Sequence, residues 1–207
     1  MICKTRTLKP LVLHNKQFKN QRMVLDFKNF PQLATDRLIL RDIEHTDAYL
    51  IHKLRSDEIA NKFVGRDNAS TLEKAKEYIL KIQNLMAKNE CIYWVISLKE
   101  NKDLIGCICL WNFDIENETV EIGYELLTEF QGKGIMSEAI KKVTKYAFEE
   151  MKAKIITAFP SSDNSNSVIL LQKLNFEFDD KKYHNTHENI KNLVTYTLKN
   201  NKMKTTN

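Results

Sequence analysis

The sequence predicts a mixed α/β fold in which helices flank one sheet that is largely antiparallel. Two observations lead to this prediction. Three strand-like segments follow one another between residues 93 and 127 with short polar turns between them, as in an antiparallel meander. From residue 132 onward, helical and strand-like segments alternate. A chain of 207 residues is long enough to bury a core without disulfides or a structural metal.

The first half of the chain is predicted to contain a strand and two helices ahead of the meander. Residues 37–41 predict the strand. Residues 45–54 and 72–86 carry apolar residues every three or four positions, which predicts amphipathic helices. Ser70 or Thr71 is placed to cap the second helix. The meander strands are predicted over 93–98, 104–111 and 120–127.

The second half of the chain alternates between predicted helices and predicted strands. Helices are predicted over 132–151 and 164–174, because each carries an apolar stripe. Strands are predicted over 155–159, 176–183 and 193–198. This pattern adds strands and helices to the meander and produces the mixed sheet.

The charge of the chain is concentrated at its N-terminal end. Residues 1–30 contain seven basic residues and one acidic residue, whereas the other 177 residues have a net charge of −1. We therefore expect a basic N-terminal extension over residues 1–30, one domain over 31–199 and a polar tail over 200–207. The preferred interpretation of the extension is a solvated arm, or a natural start at Met23. Contact with RNA or an acidic surface is the alternative, and we do not expect it.

Cysteine and histidine spacing argues against metal or disulfide chemistry. The four cysteines (Cys3, Cys91, Cys107 and Cys109) form no CxxC pair, and no HExxH motif is present. Small core cysteines are typical of a reducing, cytoplasmic environment. There is no apolar run long enough to cross a bilayer and no secretory signal pattern. We therefore predict a cytoplasmic protein with no bound metal and no membrane contact.

One glycine-containing turn has the features of an anion site. The segment from Gln131 to Ala139 lies between a predicted strand and an amphipathic helix. Gly132 and Gly134 allow unusual backbone dihedrals, and the unpaired N–H groups of the first helical turn bind phosphate. The segment matches neither a P-loop nor a dinucleotide-binding fingerprint. On its own it is also compatible with an ordinary strand–helix turn.

A second segment identifies the family that the chain resembles. Asn164-x-x-Ser167 opens a helix that ends in Lys173-Leu-Asn-Phe176, and Gln131-x-x-Gly134-x-Met136 precedes it. Together these segments resemble the two signature motifs of the GNAT superfamily of N-acetyltransferases. Residues 35–41 and 121–126 are similar to the ribosomal-protein-alanine N-acetyltransferase subgroup. The resemblance covers about residues 30–198.

The resemblance implies the GNAT acyl-CoA N-acyltransferase fold, with a central, mostly antiparallel, splayed sheet flanked by helices. It also implies transfer of an acetyl group from acetyl-CoA, the co-substrate, to an amine without a metal. By that likeness the strand before the glycine turn holds the pantetheine, and the turn holds the pyrophosphate. The residues assigned to acetyl-CoA in this way are Tyr124, Leu126, Leu127, Gln131, Gly132, Lys133, Gly134, Ile135, Met136, Ser137, Asn164 and Ser167.

The catalytic groups are less well specified than the cofactor site. Glu121 is the candidate for the base or the amine-orienting residue, with Glu125 on the same strand face as the alternative. Leu171 stands where many members of the superfamily carry a tyrosine general acid. Ser167, which the resemblance places near the sulfur, or a water molecule is therefore the candidate proton donor. Met136 and Asn175 replace small residues of the motifs, and we expect the Met136 side chain to point into the core.

The acceptor amine is left open by the sequence. The resemblance favours a protein N-terminal amine of the ribosomal-protein type. A small amine, such as a polyamine, an aminoglycoside or an amino-acid-like molecule, is the alternative enzyme reaction. A non-catalytic acyl-CoA-binding module is the alternative outside catalysis, and the chain is expected to be a monomer or a homodimer. Trp94 and Trp111 are candidates for walls of the acceptor pocket, with at least one expected in the core.

Overall fold

The computed structural model describes residues 22–61, 63–64, 71–187 and 189–200. The eight strands are β1 (Leu33–Ala34), β2 (Leu38–Arg41), β3 (Cys91–Leu98), β4 (Gly106–Asp114), β5 (Thr119–Leu126), β6 (Ile155–Ala158), β7 (Glu177–Phe178) and β8 (Tyr196–Lys199). The helices are α1 (Ala48–Ser56), α2 (Glu58–Asn61), α3 (Leu72–Ala87), α4 (Ile135–Glu149) and α5 (Ser165–Lys173). Most of the predicted basic arm and nearly all of the predicted tail lie outside the described residues, and the predicted cap Ser70 lies there too.

The strands form one mixed sheet in the order β1-β2-β3-β4-β5-β6-β8-β7. β5 and β6 run parallel, and the other neighbouring pairs run antiparallel. The meander predicted from the sequence is β3, β4 and β5, which are joined by short turns. The mixed, mostly antiparallel sheet is therefore confirmed.

The sheet opens between β5 and β6. Thr119–Glu121 pairs with Ile155–Thr157, but β5 continues to Leu126 while β6 ends at Ala158. Beyond that point β5 keeps its pairing with β4 and has no strand on its other side among the described residues. This opening, called here the β5–β6 gap, is the splay expected from the resemblance.

Each face of the sheet is covered by its own apolar core. Side chains alternate between the two faces of a strand, so neighbouring residues of β5 belong to different layers. Ile122 and Tyr124 pack with α4 and α5, in the same core as Met136 and Leu171. Tyr93 and Cys107 pack with α1 and α3 on the other face. The gap connects these two layers.

The chain packs against the domain from residue 23 onward. Met23 and Phe27 are buried, and the N–H of Val24 donates to the Met151 carbonyl (2.8 Å). The N–H of Phe27 donates to Asn89 Oδ1 (2.9 Å). We propose that the folded unit begins near Met23, ahead of the boundary at residue 31 expected from charge.

Two predicted elements differ from the structure. The strand predicted over 176–183 is only β7, and the chain from Asp179 to Thr195, called here the β7–β8 loop, is irregular. The helix predicted from residue 45 starts as a 3-10 turn at His45–Asp47, and α1 follows it. The buried Asp47 carboxylate accepts bonds from Arg41 Nη2 (2.6 Å) and the Glu44 N–H (2.8 Å), which fixes this tight turn.

Candidate active site

A cavity of about 400 Å³ lies over the sheet on the α1 and α3 side and reaches into the β5–β6 gap. Its sheet lining is formed by Cys91, Tyr93, Cys107, Cys109, Trp111, Glu121, Gly123 and Glu125. Helices α1 and α3 supply Arg55, Tyr78, Lys81, Ile82 and Leu85, and the far side includes Phe159, Asn164, Ser167 and His187. The cavity therefore joins residues from both layers of the molecule.

The glycine turn presents a run of unpaired N–H groups at the start of α4. Gly132 and Gly134 have φ of +73° and +74°, the left-handed region that favours glycine. The first helical bond is from the Glu138 N–H to the Gly134 carbonyl (3.1 Å). The N–H groups of Gly132–Ser137 have no acceptor among the described residues. This geometry, at the positive end of a helix, suits a phosphate group.

The turn is fastened to the start of β2 by ionic hydrogen bonds. Arg37 donates through Nη1 to the Lys133 carbonyl (3.1 Å) and through Nε to Glu138 Oε2 (2.7 Å). Thr35 Oγ1 donates to Glu138 Oε1 (2.5 Å). Burial alone raises the pKa of Glu138, but these bonds outweigh burial and lower it. The carboxylate is therefore ionised and anchors the turn.

Some side chains of the glycine turn are buried in the core, and the others are exposed to solvent. Ile135 and Met136 are buried in the core beneath α4, so the expected inward direction of Met136 is confirmed. Gln131, Lys133 and the two glycines are exposed. Only small or flexible groups therefore surround the free N–H run on its outer side.

The backbone of β5 has its free groups on the gap side. The Leu127 N–H donates to the Ile105 carbonyl (2.9 Å), so it is used by the β4 side of the sheet. Because bonding direction alternates along a strand, the N–H groups of Tyr124 and Leu126 face the gap. The Leu126 carbonyl already accepts Gln131 Nε2 (3.0 Å). Of the predicted pantetheine-binding backbone, Tyr124 and Leu126 are therefore directed into the gap, and Leu127 is not.

Asn164, Ser167 and Tyr124 form a connected group on the α5 side of the gap. Asn164 is the N-cap of α5, and its Oδ1 accepts the Ser167 N–H (3.1 Å). The Ser167 and Tyr124 hydroxyls are hydrogen-bonded at 2.8 Å. The pKa of the Tyr124 phenol is raised to about 12, because the effect of burial outweighs the opposite effect of the hydrogen bond to Ser167. Tyr124 therefore remains protonated at neutral pH.

This tyrosine hydroxyl is a functional group that the sequence analysis did not identify. Leu171, at the position where a tyrosine was noted as missing, is fully buried in the core. Tyr124 was predicted only through its backbone, but its side chain places a phenol against Ser167 from β5. No local sequence signal indicates that a strand residue and a helix residue, separated by 43 positions, meet in this way.

Glu121 lies on the opposite face of β5, at the edge of the cavity, and is 3% exposed. Its Oε1 is 2.5 Å from His187 Nε2, and its Oε2 accepts Asn112 Nδ2 (3.2 Å). Asn112 Nδ2 also donates to the His184 carbonyl (2.8 Å), which fastens the β7–β8 loop to β4. The carboxylate is therefore held in one orientation by two partners.

His187 is more accessible than the carboxylate it contacts. Its side chain is 20% exposed, compared with 3% for that of Glu121. The ring packs against Trp111 (5.6 Å between centroids) and Phe159 (5.7 Å). His187 comes from the long loop after β7, so its place beside Glu121 depends on tertiary packing that the sequence does not reveal.

The two tryptophans have different roles. Trp94 is fully buried, and its Nε1 donates to the Pro31 carbonyl (2.8 Å), so it belongs to the core. Trp111 lines the cavity. Cys107 and Cys109, two residues apart on β4, share its cavity face.

The comparisons with known proteins decide the family. An acetyltransferase (GNAT) domain model matches residues 37–177. The chain belongs to the GNAT family. It is 35% identical over 148 residues to the uncharacterized N-acetyltransferase YoaA of Bacillus subtilis (strain 168), which covers 72% of this chain and 84% of that protein. This chain is therefore an N-acetyltransferase.

Solved structures share the fold. A ribosomal-protein-S5-alanine acetyltransferase from Vibrio fischeri superposes with a TM-score of 0.69 at 23% identity, covering 83% of this chain and 97% of the other. The microcin C7 self-immunity acetyltransferase MccE, solved in complex with acetyl-CoA and AMP, gives 0.68 at 18% identity and covers 80% and 93%. These likenesses confirm the GNAT fold that the motifs predicted.

Within the ranges given above, no helix is both long and apolar enough to cross a bilayer. In the same part of the chain, no group of three or more histidine, cysteine, aspartate or glutamate side chains is arranged to hold a metal ion.

Proposed function

We propose that this enzyme transfers the acetyl group of acetyl-CoA to a primary amine at the point where the β5–β6 gap meets the cavity. The observation that carries the proposal is the placement of two hydrogen-bonded pairs on opposite faces of β5. The Glu121–His187 pair faces the cavity, and the Tyr124–Ser167 pair faces the gap. A proton acceptor and a proton donor are therefore arranged around one strand edge.

The glycine turn is the binding site for the pyrophosphate of acetyl-CoA. The free N–H groups of Gly132–Ser137 supply donors, and Lys133 adds a positive charge. The pantetheine extends from there along the free edge of β5, beside Asn164. In this placement the thioester carbonyl oxygen accepts from the Tyr124 N–H, which stabilises the negative charge formed in the transition state.

The reaction removes two protons from the amine nitrogen and supplies one proton to the leaving thiolate. The Glu121–His187 pair takes a proton from the ammonium group, and the free amine nitrogen then attacks the thioester carbon. His187 is the more exposed member, so it meets the amine, and Glu121 orients its ring. The C–S bond breaks, and the CoA thiolate takes a proton from Ser167, which Tyr124 resupplies. The second proton, which the nitrogen loses as the amide forms, restores the Tyr124–Ser167 hydroxyl pair.

Two classes of acceptor amine are each supported by one observation. A small amine is supported by the limited volume of the cavity, about 400 Å³, and by its ring-lined walls. A protein N-terminal amine is supported by the structural likeness to a ribosomal-protein acetyltransferase. A purely acyl-CoA-binding role is not favoured, because it leaves the buried, oriented Glu121–His187 pair without a purpose. The free thiols of Cys91, Cys107 and Cys109 support a reducing compartment such as the cytoplasm.

The test is steady-state release of CoA thiol from acetyl-CoA with a panel of amines. Glu121→Gln and His187→Gln are each expected to lower kcat by about a hundredfold or more while leaving the Kd for acetyl-CoA unchanged. Glu116→Gln, on an exposed turn, is the matched control and keeps full activity. Unchanged turnover in both variants across the pH range would remove the pair from the mechanism.

A further inference from the structure

We propose that the acceptor is an amino acid or a closely related small amine, and that Arg55 binds its carboxylate. This inference rests on the proposed function and specifies its substrate. It concerns the wall of the cavity formed by α1 and α3, which the transfer chemistry itself does not use.

At the end of α1, the Arg55 guanidinium has no ion-pair partner within the part of the chain that the structure describes. Its guanidinium carbon lies 3.9 Å from the centroid of the Tyr78 ring, and the residue lines the cavity. Its Nε is buried and has no hydrogen-bond partner among the described residues. A buried donor left unpaired costs about 1–3 kcal/mol, so the hydrogen-bonding capacity of Arg55 is not fully used within the described residues.

Other arginines of the domain show how the fold treats this side chain elsewhere. Arg37 is paired with Glu138 (2.7 Å), and Arg41 is paired with Asp47 (2.6 Å). Arg55 differs because it stacks on an aromatic ring, which fixes the plane of its guanidinium without using its donors. A guanidinium held in this way presents a planar fork that fits a carboxylate.

The walls around Arg55 are mainly apolar and aromatic, and the Glu125 carboxylate of β5 lies near the Tyr78 and Tyr93 rings. The rings of Tyr78 and Tyr93 contact each other edge to face, with centroids 6.2 Å apart. Burial raises the pKa of both phenols far above the ordinary value, so they remain neutral. Ile82 and Leu85 of α3 continue this surface. The space between Arg55 and Glu121 therefore fits an apolar or aromatic side chain.

The basic and acidic groups of the cavity enter from different layers, with Arg55 and Lys81 on the helices and Glu121 and Glu125 on the sheet. Glu121 belongs to the sheet, whereas Arg55 belongs to the helices packed above it. When the amine of a bound amino acid points at the Glu121–His187 pair, the carboxylate of the same molecule thus points at Arg55. This arrangement is complementary to a zwitterion rather than to a polyamine, whose second cation would meet Arg55 and Lys81.

Acetyl-CoA itself is the competing source of an anion for Arg55. Its phosphates are assigned to the glycine turn, which is fastened to β2 and α4 on the other face of the sheet. The pantetheine arm that passes through the gap carries no charge. A change in the KM for acetyl-CoA would therefore indicate that Arg55 binds the cofactor, whereas a change in kcat/KM for the acceptor would indicate that it binds the acceptor.

The experiment compares free L-amino acids with their amides as acceptors, because the pair differs in the carboxylate and keeps the same side chain. L-Phenylalanine and L-phenylalaninamide, and L-methionine and L-methioninamide, are the matched probes. The wild-type enzyme is expected to favour each acid by about tenfold or more in kcat/KM. Arg55→Met is expected to remove that preference, and Arg55→Lys to keep part of it. Lys76→Met, an exposed change on α3, is the control and retains the preference.

The outcomes are distinguishable. Equal use of acids and amides by the wild-type enzyme, or exclusive use of peptide N-termini, would overturn the amino-acid assignment while leaving N-acetyl transfer intact. A raised KM for acetyl-CoA in Arg55→Met would reassign the residue to the cofactor. Absence of thiol release with every amine, despite thermal stabilisation by acetyl-CoA, would instead overturn the proposed function. Thermal stabilisation of Arg55→Met by acetyl-CoA shows that the variant is folded.

Discussion

At the scale of single residues, the two faces of β5 separate the two proton transfers of the proposed mechanism. Alternation along a strand sends Glu121 and Tyr124 to opposite layers, while the opening beside β5 lets both approach one carbonyl group. Each contacts a side chain from a distant segment, His187 and Ser167 respectively, and Glu121 also accepts a hydrogen bond from Asn112. The geometry of these four side chains thus depends on the sheet rather than on any one loop.

Tyr124→Phe tests the donor side of this arrangement. The change removes the hydroxyl that resupplies Ser167, so kcat is expected to fall by about tenfold or more, with the KM for acetyl-CoA nearly unchanged. Ser167→Ala is expected to have a similar effect, and the double variant little more than either single one, because the two hydroxyls act as a unit.

The matched control for this change is Tyr49→Phe, which alters a side chain that is 69% exposed. It is expected to leave kcat unchanged. Additive losses in the double variant would show that Tyr124 and Ser167 do not form one proton path.

At the scale of elements, the junction of β5 and α4 forms the anion site. Gly134 has a φ of +74° as the N-cap of α4, and a Cβ there would lie 3.6 Å from Arg37 Nη2. The position thus has space for a side chain but a backbone conformation that disfavours one. Its N–H lies within the free run of Gly132–Ser137.

Gly134→Glu and Gly134→Gln separate charge from strain at this junction. Both variants are expected to lose about 1–2 kcal/mol of stability, because an L-residue is forced into the left-handed region. The glutamate variant is expected to lose roughly tenfold or more additional affinity for acetyl-CoA, since its carboxylate faces the phosphates.

S-acetylpantetheine, which lacks the pyrophosphate, provides the internal control for these variants. Its kcat/KM is expected to be the same in the glutamate and glutamine variants. Equal affinity of the two variants for acetyl-CoA would place the pyrophosphate away from this turn.

At the scale of the whole molecule, burial of tyrosines in both cores sets an alkaline limit to stability. Burial raises the pKa of Tyr124 and Tyr146 to about 12, and raises those of Tyr78 and Tyr93 further. A raised pKa means that the folded protein keeps a proton that the unfolded chain loses. Stability is therefore complete below about pH 10 and falls as the pH rises from there toward 12.

The free energy of unfolding is expected to decrease above about pH 10 by about 1.4 kcal/mol per pH unit for each buried tyrosine. Urea unfolding at a series of pH values from about 8 to about 11 measures this slope. Tyr146→Phe, which removes one of these phenols beside Trp94, is expected to make the slope shallower. A free energy of unfolding that stays constant to about pH 11 would contradict the burial of these groups.

Much of the fold could be predicted because its signals are local. Apolar periodicity and polar turns gave β3, β4, β5, α3 and α4, and the motif residues Gly134 and Asn164 cap α4 and α5. Asn175 takes a left-handed φ of 63° at the end of α5, as expected for the residue that replaces glycine there.

The parts that could not be predicted depend on contacts between distant segments. His187 meets Glu121 across 66 positions, and nothing near either residue indicates the contact. Arg55 lies one residue beyond the helix predicted over 45–54, and no sequence signal indicates its place over the Tyr78 ring. The short β7 was overestimated because its aromatic residues are typical of a strand, whereas the chain after it turns away to form the loop that carries His187.

One measurement tests directly whether the acetyl group is transferred through the Glu121–His187 pair to an amine in the cavity. The enzyme is mixed with acetyl-CoA and L-phenylalanine, and thiol release and N-acetylated product are quantified together for the wild type and for Glu121→Gln. The account predicts equal amounts of thiol and product in the wild type and a loss of both in the variant. Thiol release without acetylated amine, or equal product from the variant, would contradict it.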